Sequence, residues 1–116
     1  MSRPAQITFR QMDSSPSVEA SIRRRVEKLA TFGAPILGCR VLVEAPHRHH
    51  QHGRLYRVRV EVDLPGDQIV VGRSPDEHAE NEDLHVAIRD AFRAARRRLQ
   101  DRVQRRRGQV KSGAAA

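Results

Sequence analysis

The sequence predicts an α+β fold, a two-layer sandwich in which a four-stranded sheet carries two helices on one face, in the order β-α-β-β-β-α. Three observations predict it. Apolar and polar residues alternate strictly over residues 56–64, which is the period of a half-buried strand. Two other stretches place apolar residues three and four apart, the period of an amphipathic helix. Turn-forming Pro, Gly, Asp and Ser separate these stretches, and two helices suffice to cover one apolar sheet face.

Taken in order, residues 5–11 read as a strand with Ile7 and Phe9 on one face and Thr8 and Arg10 on the other. Ser15 is placed to cap a helix that opens with Pro16, and Val18, Ile22, Val26 and Leu29 form its apolar stripe. Gly33 and Pro35 end that helix. Residues 36–45 form a second strand, with Cys39, Val41 and Val43 facing one way. In the third, Tyr56, Val58, Val60, Val62 and Leu64 alternate with Leu55, Arg57, Arg59, Glu61 and Asp63, so one sheet face is apolar and the other charged. Pro65-Gly66 is a tight-turn signal that returns residues 68–73 as a fourth strand. A polar, acid-rich loop over 74–83 precedes a second helix beginning near Leu84. Its stripe is Leu84, Ile88, Ala91, Phe92, Ala95, Leu99 and Val103. Residues 1–108 are expected to form the one domain and 109–116 a flexible C-terminal tail.

The chain of 116 residues carries a net charge of +8, from 22 Lys and Arg against 14 Asp and Glu. Lys28 and Lys111 are the only lysines, so arginine supplies nearly all the positive charge. Its planar fork of donors suits phosphate oxygens, and the bias favours a nucleic-acid partner. Nine arginines lie between residues 84 and 107, opposed by Asp90 and Asp101 alone. Arg89, Arg93, Arg96 and Arg97 project away from the apolar stripe, as do Arg24 and Lys28 on the first helix. These six are the candidate RNA-binding residues. Few aromatics accompany them (3% of the chain), so recognition through shape and backbone is expected rather than base stacking.

Other chemistry finds less support. Cys39 is the only cysteine, which rules out an intramolecular disulfide, and it falls on an apolar strand face where a thiol is inert. His85 has no nucleophile partner, and no Gly-rich phosphate loop is present. An enzyme and a cofactor are therefore not expected. His47, His49, His50 and His52 are either metal ligands or a solvated loop. Arg48 among them repels a cation, and no metal is expected. No apolar run is long enough to span a bilayer and no secretory h-region is visible, so a cytoplasmic location is expected.

Several segments resemble one known family. They are the run from Asp83 to Phe92 with Ala95-Arg96-Arg97-Arg98-Leu99, the first-helix pieces Ser17-Val18-Glu19-Ala20-Ser21-Ile22 and Val26-Glu27-Lys28-Leu29, and the strand and turn from Val58 to Gly66. Together they resemble the ribosome hibernation promoting factors, also called ribosome-associated translation inhibitors or sigma-54 modulation proteins, in their short form. The resemblance spans about residues 5–107. It implies a fold similar to double-stranded-RNA-binding domains. It also implies a monomeric partner of the small ribosomal subunit and its 16S rRNA, docked in the mRNA and tRNA channel and blocking translation under stress or in stationary phase. His85 stands where the family commonly has Tyr, and the His-rich and acidic segments look longer than usual. The alternatives are a transcription regulator acting through a protein partner, the sense of the sigma-factor name, and a metal-binding protein using the His-rich segment.

Overall fold

Alternating burial along each strand builds the sheet. The computed structural model describes residues 5–32, 35–45, 55–72, 80–81 and 83–115, without the side chains of 32, 80–81 and 106–115. Strand β1 is Ala5–Arg10, β2 is Gly38–Glu44, β3 is Tyr56–Leu64 and β4 is Asp67–Val71. They lie in the order β1-β2-β3-β4. β1 runs parallel to β2, as a strand joined through a helical crossover can, and the other neighbours are antiparallel. The register sets Cys39 opposite Val62, Val41 opposite Val60 and Val43 opposite Val58 on the inner face. Arg40 opposite Glu61 and Glu44 opposite Arg57 fall on the outer one. Gly66 turns β3 into β4 at φ 71°, a conformation open to glycine and strained for most residues. The expected four strands are therefore all present. A fifth, β5 (Glu80–Asn81), pairs with Tyr56 and Arg57 of β3, inside the segment read from sequence as loop.

Helix α1 is Pro16–Leu29 and passes into a 3₁₀ turn, Ala30–Phe32. It begins as its sequence requires. Ser15 sits in the extended region and its Oγ accepts the Val18 N–H at 3.4 Å, with Pro16 in the first turn. Helix α2 is Leu84–Ala115. Asp83 starts it, its Oδ1 accepting the His85 N–H at 2.9 Å and the Val86 N–H at 3.4 Å. The helical backbone runs beyond residue 108, where the sequence reading ended it. Gly108 and Gly113 cost about 1 kcal/mol each against alanine, and the surrounding Gln, Lys and Ala are adequate helix formers.

Both helices bury their stripes against the inner sheet face. Val18, Ile22, Val26 and Leu29 of α1 and Ala87, Ile88, Ala91, Phe92, Ala95 and Leu99 of α2 join the strand residues in one core. Leu84 and Val103 are only half-buried at its rim, and Ala87, left out of the expected stripe, is fully buried. Among the described residues no polar or charged residue is buried in this core. Burying each Val or Ile contributes roughly 1.5–3 kcal/mol, so the platform rests on aliphatic packing.

Candidate nucleic-acid interface

The sandwich has two outer surfaces, and each holds several arginines. On the outer face of the sheet nearly every one meets an acid. Arg40 donates from Nε to Glu61 at 3.0 Å and from both terminal nitrogens to Asp63, at 2.7 and 3.2 Å. Arg59 pairs with Glu61 at 2.8 Å, and Arg57 and Arg10 lie 3.8 and 3.9 Å from Glu44. The Arg40 hydrogen bond, and then that of Gln68, hold the Asp63 carboxyl below the usual carboxylate range. This face is close to neutral.

On the helix layer the arginines divide by position. Arg23 of α1 bonds Glu19 at 3.1 Å and reaches the Ala5 carbonyl on the outer edge of β1 at 3.2 Å. Arg98 of α2 donates to the Val70 carbonyl of β4, and Arg102 pairs with Asp67. These three tie the helices to the two edge strands, and Arg23 and Arg102 are also paired with acids. Arg89, one of the six candidates, is half-buried and pairs with Asp90 next to it at 3.2 Å. The other five, Arg24, Lys28, Arg93, Arg96 and Arg97, are exposed. The side chains of Arg24, Lys28, Arg93 and Arg97 make no hydrogen bond or ion pair among the described residues.

The two helices bring some of these cations together. Arg25, Lys28, Leu29 and Thr31 from the end of α1 and Phe92 and Arg96 from α2 line one cleft of about 260 Å³. It unites two predicted residues, Lys28 and Arg96, with Arg25, which sequence reasoning missed. Arg25 lies in the run Arg23-Arg24-Arg25, one position before the buried Val26. Helical period places it on a shoulder of the apolar stripe, but only packing tells which shoulder meets α2. At about 100° per residue, Arg93 and Arg97 both follow on the crest of α2, away from the core. The candidates form a band across the helix layer and not one cluster.

The remaining chemistry is sparse. Cys39 is buried and its thiol is pushed up to about 11, mainly by loss of solvation, which keeps it protonated and unreactive. Among the described residues no three of His, Cys, Asp and Glu are grouped to hold a metal. The His47 to His52 segment lies outside the described residues. No described helix is long and apolar enough to cross a membrane.

Residues 5–107 match the family model described as Sigma 54 modulation protein / S30EA ribosomal protein. The chain belongs to this family. Solved structures share its fold. The Thermus thermophilus Protein Y N-terminal domain is 18% identical, with a TM-score of 0.67 over 87% of this chain and 98% of that one. A ribosomal subunit interface protein from Coxiella burnetii is 16% identical, with a TM-score of 0.64 over 86% and 97%. Comparison with curated proteins finds no match. Membership of the S30EA family supports a ribosome-associated role for the chain, and the architecture expected from sequence is the one its structural relatives share.

Proposed function

We propose that this S30EA-family protein binds the small ribosomal subunit through the outer face of its helix layer, gripping 16S rRNA phosphates in the channel used by mRNA and tRNA. It stops translation there by occupancy alone. The observation that carries this reading is the band of exposed cations on the helices, in which Arg24, Lys28, Arg93 and Arg97 form no ion pair among the described residues, whereas the arginines of the sheet face are set against acids. Such a band attracts a polyanion through its backbone, and phosphate contacts position a protein without reading sequence. Arg24, Lys28, Arg93, Arg96 and Arg97 are the proposed main contacts, joined by Arg25, with Arg89 contributing less because Asp90 already holds it. The protein acts as a monomer in the cytoplasm, where ribosomes idle under stress, and residues 1–108 are the binding unit. It is not an enzyme and needs no cofactor or metal.

Sucrose-gradient sedimentation with purified small subunits tests this. The wild type travels with the subunit and inhibits cell-free translation in proportion to occupancy. A protein that stays at the top of the gradient overturns the reading. The family description also contains sigma-54 modulation. That second reading gains ground if the protein ignores ribosomes and instead co-purifies with the transcription machinery.

A further inference from the structure

The cleft between α1 and α2 differs from the rest of the cationic band in shape. Arg25, Lys28 and Arg96 converge on a concavity, and no carboxylate among the described residues lines it. Arg25 is half-exposed and makes no hydrogen bond or ion pair among the described residues. The carbonyl of Lys28, at the end of α1, is not turned against an incoming anion. It accepts the Thr31 hydroxyl at 2.7 Å and the Ala30 N–H. Leu29 and Phe92, both almost wholly buried, supply an apolar floor.

An RNA duplex presents its phosphates singly along a convex backbone, so it meets the rim of such a cleft. A small molecule with two or three linked phosphates presents all its charge from one point and can enter. Three cations around about 260 Å³ suit that charge density, and the floor suits the edge of a sugar or base. We propose that this cleft binds an oligophosphate group, that of a nucleoside di- or triphosphate, and that its occupancy competes with RNA for Lys28 and Arg96. Binding of the small molecule stands on the cleft itself. The competition rests on the RNA-binding reading proposed above. Nucleotide supply then regulates release from the ribosome, since high nucleotide withdraws two cations from the rRNA contact.

Calorimetry of the whole protein without ribosomes tests the binding, with adenosine triphosphate, tripolyphosphate and orthophosphate as probes. Saturable triphosphate binding is expected, with orthophosphate at least tenfold weaker. Arg25→Ala and Lys28→Ala each weaken it about tenfold, the loss of one charge-assisted hydrogen bond. Arg93→Ala, outside the cleft, changes it less than twofold. Tighter binding of adenosine triphosphate than of tripolyphosphate assigns the nucleotide as the ligand, and equal affinity assigns free oligophosphate. No saturable binding, or equal losses for Arg25→Ala and Arg93→Ala, overturns the site. On small subunits, triphosphate should release the wild type and about ten times more should be needed for Arg25→Ala. A wild type that binds triphosphate but never the subunit would sink the ribosome reading and leave the site standing.

Discussion

The two outer faces of this sandwich both hold arginines and use them differently. On the sheet face Arg10, Arg40, Arg57 and Arg59 are set against Glu44, Glu61 and Asp63 by the register of three strands. On the helix face Arg24, Lys28, Arg93 and Arg97 form no ion pair among the described residues. The difference teaches that arginine content alone does not mark a polyanion-binding surface. The placement of the carboxylates does, because an ion-paired guanidinium has already given its donors and its field away.

The largest way to break the comparison is to remove the platform both faces share. Val60 is wholly buried at the centre of β3, between Val41 and Val71, and its neighbours Arg59 and Glu61 lie on the sheet face. Val60→Asp should destabilise the fold by on the order of 3–5 kcal/mol, seen in denaturant melts, and abolish ribosome binding with it. A smaller effect sharpens the contrast. Glu44 lies within 4 Å of both Arg10 and Arg57. Glu44→Gln should turn the sheet face cationic and raise non-specific RNA affinity on the order of a few-fold at low salt, measured by filter binding. An unchanged affinity would mean that the carboxylate does not mask these arginines.

The smallest effect is one of pH. Arg40 lowers the carboxyl of Asp63 in the folded state, so its contribution to stability is present above the ordinary carboxylate value, near pH 4. That contribution is lost as pH falls through the lowered folded value. Arg40→Ala should therefore return Asp63 toward the ordinary range in an NMR titration. The stability gap between wild type and variant should close below about pH 4. A gap that widens in acid would contradict this assignment.

Much of the fold was legible because its signals are local. The alternation along β3 exists because that strand buries one face only, and Ser15-Pro16 announces α1 by chemistry confined to its first turn. Less local features escaped. β5 consists of two residues defined by pairing with Tyr56 and Arg57, and no periodicity fits so short a strand. The far end of α2 has no proline or capping signal to mark it. In the interface, helical period separated the outward Arg93, Arg96 and Arg97 from the core. It could not show that Arg98 and Arg102 reach back to β4, that Asp90 occupies Arg89, or that Arg25 opens onto α2. The reach of Arg98 and Arg102 and the opening of Arg25 depend on how elements distant in sequence pack, and the Arg89–Asp90 pair on side-chain conformations that helical period does not fix.

The central claim is that the helix face, and not the sheet face, holds the ribosome. The direct measurement is the salt dependence of small-subunit affinity for three proteins: the wild type, a helix-face variant with Arg24, Lys28, Arg93 and Arg97 changed to Ala, and a sheet-face variant with Arg10 and Arg57 changed to Gln. Circular dichroism serves as the folding control. For the helix-face variant, affinity should fall and the slope of log affinity against log salt should flatten by roughly one unit per lost phosphate contact. The sheet-face variant should keep the wild-type affinity and slope. A flattened slope for the sheet-face variant, with the helix-face variant unchanged, would contradict the account and move the interface to the other side of the molecule.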